Sequence, residues 1–189
     1  ITPNVSVTVG HETSDHEWEV YGKWNMIHQG RKPGLPVSAA LLIGGGWITE
    51  KEEGKDTFRS ENMKFNAQMI LSRQFTDDFS LLLMPAFSSN TNPSEEDGEG
   101  TLALGIGTRY TFFNQYSVIA EIIPVLDGYQ DESDGWGIGL EAKVGGHVFQ
   151  AFVTNSMGLT ADQYLPGGNL KIEDNEYRIG FNIYRSFWF

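Results

Sequence analysis

Arg178-Ile-Gly-Phe-Asn-Ile-Tyr-Arg-Ser-Phe-Trp-Phe189 closes the chain with apolar residues at Ile179, Phe181, Ile183, Phe187 and Phe189. The positions between them are Gly180, Asn182, Tyr184, Ser186 and Trp188. Side chains of a strand point to opposite faces with period two. One face of such a strand can meet lipid while the other meets a polar lumen. A terminal strand ending on an aromatic is how outer-membrane β-barrels usually finish. Phe181, Ile183, Phe187 and Phe189 are therefore read as a signal for the bacterial barrel assembly machinery. The expected fold is all-β, an antiparallel up-and-down transmembrane β-barrel.

The same alternation recurs upstream. Ten strand candidates fall near 3–10, 17–27, 37–49, 59–75, 79–89, 101–113, 117–126, 136–145, 147–155 and 176–188. In the second, Trp18, Val20, Gly22, Trp24 and Met26 alternate with Glu17, Glu19, Tyr21, Lys23 and Asn25. Segments 62–71, 102–112 and 136–144 repeat the pattern, whereas 37–49 and 147–155 do not declare which face is which. Short connections near Thr76–Asp78, Asn114–Tyr116 and Gly145–Gly146, with a basic one at His28–Pro36, alternate with longer acidic ones. The acidic ones are His11–His16, Glu50–Asp56, Ser89–Gly100, Asp127–Gly135 and Asn155–Asn175. Short periplasmic turns opposite longer extracellular loops are what this class of barrel builds. The carboxyl terminus is then expected in the periplasm and the acidic loops outside.

The 189 residues suit a single domain, 1–189. Mean hydropathy of −0.30 conceals a barrel, since only alternate residues meet lipid. Zero cysteines exclude disulfides and thiolate metal sites. A net charge of −12 argues against nucleic acid as a partner. The opening Ile1–Val7 resembles the internal strand joints Phe75–Leu81 and Phe113–Val118. On that ground one or two further strands are expected before Ile1, which would make the barrel twelve-stranded.

Glu19, Lys23, Lys64, Arg109, Glu121, Glu141, Lys143 and Arg178 fall on the inward parity, and buried charges of both signs demand partners. They are expected to fill a narrow lumen or to line a small pore. Ten to twelve strands lie nearer the filled end of the barrel size range. Trp18, Trp24 and Trp136, among the five tryptophans, are expected as anchors at the membrane interface. His147 beside a Gly-Gly turn is read as a lumen-end imidazole, since no second ligand accompanies it at metal spacing. His11, Glu12, Asp15, His16 and Glu17 could offer a divalent cation oxygen and imidazole ligands, but such loops are mostly solvated. The run Glu95–Glu99 lacks the spacing of a dedicated calcium loop. Ser156 and His147 are nine residues apart, about 30 Å at ~3.3 Å per residue, too far for a nucleophile and its base.

Gly145-Gly-His-Val-Phe-Gln-Ala-Phe-Val-Thr-Asn-Ser-Met-Gly158 and Tyr177-Arg-Ile-Gly-Phe-Asn-Ile-Tyr-Arg-Ser-Phe187, with the opening Ile-Thr-Pro-Asn-Val-Ser-Val, carry a family resemblance. They resemble a Gram-negative outer-membrane barrel family known only as a domain of unknown function. The resemblance implies fold and location, and a family usually longer at its amino end. It implies no catalytic residues. The resulting expectation is a passive barrel without enzymatic activity or cofactor, serving as a structural or partner-binding component of an envelope assembly. Its surroundings would be outer-membrane lipid and lipopolysaccharide. A narrow porin-like channel is the alternative, and a lipid-modifying enzyme a third.

Overall fold

The computed structural model describes residues 4–13, 16–30, 34–50, 56–92 and 99–185. Eleven strands form one antiparallel sheet. They are β1 (Val5–His11), β2 (Glu17–Ile27), β3 (Ser38–Ile48), β4 (Met63–Gln74), β5 (Phe79–Ser88), β6 (Thr101–Phe112), β7 (Tyr116–Ile123), β8 (Val125–Gly128), β9 (Gly135–Val144), β10 (His147–Thr154) and β11 (Arg178–Arg185). Sequence neighbours pair throughout except around β8, which pairs with β6 while β9 pairs with β7. The sequence suggested ten strands, and Pro124 accounts for the eleventh. Proline has no N–H to give the ladder, so the segment expected as one strand breaks there and resumes as β8 opposite Thr101–Ala103. Among the described residues β1 and β11 are the two edges of the sheet.

Cross-strand partners share a face, so register assigns every strand. Trp18, exposed on β2, stands opposite Trp47, so β3 turns Leu41, Ile43 and Trp47 outward and Ala40, Leu42 and Gly44 inward. On β10, Ala151 pairs with Leu140 and Phe181, which places His147, Phe149 and Val153 outward with it. The outer face then carries Val20, Ile43, Phe65, Leu83, Ile106, Leu140 and Phe181, all exposed. A continuous apolar band of this kind is matched by lipid and not by water. The short β4–β5, β6–β7 and β9–β10 connections share one end of the sheet, called here the turn end. The β1–β2, β3–β4, β5–β6, β8–β9 and β10–β11 connections share the other, the loop end.

The connection Asn155–Asn175, expected to stand out as one more acidic loop, folds inward instead. Asn155, Thr160 to Gln163 and Leu165 to Gly168 are all buried. A single helical turn, α1 (Ala161–Tyr164), follows an extended Thr160. Pro166 stops it, and Gly167 reverses the chain at a φ of +110°, a conformation that favours glycine. Ala161 and Leu165 pack on the inward side chains Ala86 of β5, Ala103 of β6 and Ile123 of β7. Burying a leucine of this size contributes roughly 1.5–3 kcal/mol. Between Ser156 and Leu170 the only charged residue is Asp162. A segment that apolar gains more from the lumen than from water.

Candidate functional site

The inward segment divides the lumen into a packed half at the loop end and an open half at the turn end. Its anchors come from the wall on nearly every side. Asn155 is fully buried, and its amide donates to Ser133 Oγ at 3.0 Å and to the Asp134 carbonyl at 2.9 Å. Its Oδ1 accepts the Trp136 N–H at 2.8 Å. Gly168 forms backbone bridges to Ser133 and Ser156. Arg178 on β11 donates to the Asn155 carbonyl at 3.1 Å and to Asn169 Oδ1 at 2.8 Å. Across the lumen, Gln68 on β4 donates to the Tyr164 hydroxyl at 2.7 Å. Burial pushes that hydroxyl up to about 12, so it stays protonated. Lys64 Nζ sits 3.5 Å from Asp162 Oδ2 and also donates to the Asn90 carbonyl. Together these contacts make a plug held by polar bonds at its rim and apolar packing at its centre.

Below the plug a polar belt crosses four adjacent strands. Ser117, Glu141, Gln150 and Asn182 stand directly opposite one another on β7, β9, β10 and β11. Arg109 on β6 donates through Nε to Ser117 at 3.2 Å and pairs with Glu141 through its guanidinium. Gln150 donates to Glu141 Oε2 at 3.0 Å, and Asn182 donates to Gln150 Oε1 at 3.3 Å. Between belt and plug lies a chamber of about 530 Å³ whose lining includes Leu82, Ile119, Glu121, Phe152 and Leu159. A second space of about 420 Å³ at the turn end shares Ser72, Ser80 and Arg109 with it and reaches Lys143. The chamber therefore opens towards the turn end.

A family model described as a membrane bound beta barrel domain (DUF5777) matches residues 1–187. The chain belongs to this family. Membership and the lipid-facing band together make it a membrane-bound β-barrel. No curated protein and no solved structure matches the chain.

Within this membrane barrel the inward charges anticipated from sequence have separate fates. Arg109 and Glu141 meet; Lys64 and Arg178 turn instead to the plug and its flanks. Glu19 accepts from the Tyr21 hydroxyl. Lys23 faces inward on β2 opposite Ser6 and Leu42, Lys143 lines the turn-end mouth, and Glu121 lies over Gly137 within the chamber. Trp18 and Trp24 are exposed on the outer face near opposite ends of β2, and Trp136 is half-buried at the start of β9. Phe181 and Ile183 are exposed on β11.

His147 is corrected. Register sets it opposite Val144 and Arg185 on the outer face, stacked on Phe149 at 5.9 Å, and not at the lumen end. The polar parity of Gln150 and Thr154 was the signal for this. His11 and His16 lie 6.3 Å apart at the loop end with Glu12 nearby in the chain, whereas Glu17 leaves that cluster and is buried across Gly46. Among the described residues no three His, Asp or Glu side chains converge as a metal site. Asp15, Glu95 to Asp97, Phe187, Trp188 and Phe189 lie outside the described residues. The plug residues Asn155, Asp162, Tyr164 and Leu165 escaped sequence reasoning, although the near absence of charge from Ser156 to Leu170 marked them.

Proposed function

We propose that this barrel sits in the outer membrane of a Gram-negative envelope as a closed, non-enzymatic component that contributes structure or binds an envelope partner. Its carboxyl end and short turns would face the periplasm, and the acidic loops the exterior, among lipopolysaccharide. The observation that carries the reading is the plug. Leu165 and Ala161 occupy the lumen between Ala86, Ala103 and Ile123, where a conducting pore would need water. The non-enzymatic reading is supported by the separation of Ser156 from His147, which stand at opposite ends of β10 on different surroundings. Ser156 Oγ donates to the Gly158 carbonyl at 3.2 Å, while His147 faces outward.

A second reading, a narrow channel for small solutes, is favoured by the chamber open to the turn end and would require the plug to move. Planar-bilayer recording separates the two. The purified native chain is expected to show no single-channel steps, and a variant with residues 156–170 replaced by a short glycine–serine link is expected to show them. Reproducible steps from the native chain would overturn the closed reading in favour of the channel.

A further inference from the structure

The chamber beneath the plug holds a carboxylate to which the wall supplies no counter-charge. Glu121 projects inward from β7, and a Cβ on Gly137 of β9 would sit 3.2 Å from its Oε1. Among the described residues no hydrogen bond or ion pair reaches it. Arg109, which lines the same chamber, is committed to Ser117 and Glu141. The chamber that Glu121 lines joins apolar Leu82, Ile119 and, from the plug segment, Leu159 to polar Thr108, Gln150 and Asn182. The Phe152 ring lies over Gly180, whose missing side chain gives it that place, and its Cβ lies against Gly139.

We propose that this chamber binds a small organic ammonium ion, with its cationic head at Glu121 and its apolar body against Ile119 and Phe152. Glu121 is exposed to the chamber, where its charge attracts a partner of opposite sign, and an aromatic face adds attraction for a cation. A divalent metal ion would need six to eight oxygen ligands of suitable geometry, which one glutamate does not provide. An anion would meet repulsion, and a neutral molecule would gain nothing from the charge of Glu121. The volume of about 530 Å³ falls within the roughly 300–1,000 Å³ of small-molecule sites. Glu121 stands four steps along β7 from the belt at Ser117, about 13 Å at ~3.3 Å per residue, which is room for a single aryl or alkyl body. This inference goes beyond the closed-barrel reading and does not depend on whether the lumen conducts.

Calorimetric titration of the full chain in a non-ionic detergent tests it with benzylammonium, benzyl alcohol and benzoate. Benzylammonium is expected to bind at least tenfold more tightly than benzyl alcohol, with benzoate weakest. E121Q is expected to erase the ammonium margin while leaving the urea unfolding midpoint and benzyl alcohol binding unchanged. E19Q, which removes a lumen carboxylate outside the chamber, is expected to keep the margin. Equal affinity for ammonium and alcohol, a preference for benzoate, an undiminished margin in E121Q, or the same loss in E19Q would each overturn the proposal.

Discussion

The two halves of the lumen are built from the same strands and solve opposite problems. At the loop end Ala86, Ala103 and Ile123 present small or compact side chains, and the plug fills the space they leave. Towards the turn end Gly107, Gly137 and Gly139 line the wall, and among the described residues no segment folds back to fill the space before them, so a chamber remains. Small inward residues therefore do not by themselves define a pore or a core. What decides is whether another segment of the chain is apolar enough to enter.

The contrast can be broken most sharply at Leu165. Leu165→Ala removes buried volume where no water can follow, and is expected to cost about 3 kcal/mol in urea unfolding from detergent. Ile119→Ala in the open half should cost less, because solvent can fill the enlarged chamber. Equal losses at the two positions would mean that the plug is not packed.

The two ion pairs sharpen the same contrast at smaller scale. Lys64 and Asp162 are 10% and 8% exposed, whereas Arg109 and Glu141 are 34% and 7% exposed. Breaking the enclosed pair with Lys64→Ala leaves Asp162 buried against the plug and is expected to cost about 3 kcal/mol. Arg109→Ala leaves Glu141 buried but still accepting from Gln150, and is expected to cost less, about 2 kcal/mol. Unfolding midpoints of the two variants compared side by side check the difference.

The smallest expected effect lies outside the lumen. Lys171 sits 2.7 Å from Glu132 and ties the plug connection to the β8–β9 loop. The hydrogen bond and charge of Lys171 hold Glu132 below the usual carboxylate range, and Glu132 in turn raises Lys171. A depressed carboxylate contributes stability above its unfolded pKa and loses it as the pH falls through its folded value. The raised lysine contributes below its ordinary value and loses that only as the pH rises through the folded one. Both groups are exposed, so wild type and E132Q should differ slightly at neutral pH and converge in acid. A difference that grows in acid would assign the wrong sign to the pair.

Much of the wall was legible because a strand with lipid on one side must alternate. Trp18, Val20 and Trp24 against Glu19, Tyr21 and Lys23 could be oriented from sequence alone, and β2 carries them so. On β3 the run Leu41-Leu-Ile-Gly-Gly-Gly46 has no polar parity, and only its register against β2 orients it. The plug was illegible for a different reason. Its fold depends on fitting a cavity made by distant strands, and Leu165 meeting Ala103 leaves no periodic trace. Glu121 and Arg109 look alike in sequence as inward charges. Only the register that brings Ser117 opposite Glu141 shows which of them is answered within the wall.

Residues Leu165 and Ile172 belong to the same connection between β10 and β11, yet Leu165 is 0% exposed and Ile172 is 63% exposed. The chain has no cysteine of its own, so single-cysteine variants L165C and I172C report each position cleanly. Labelling of the folded protein in bilayers by a polar maleimide is expected to proceed at least tenfold more slowly in L165C than in I172C, with the two rates converging after unfolding in urea. Equal rates in the folded state would contradict the inward fold of this segment and, with it, the closed lumen.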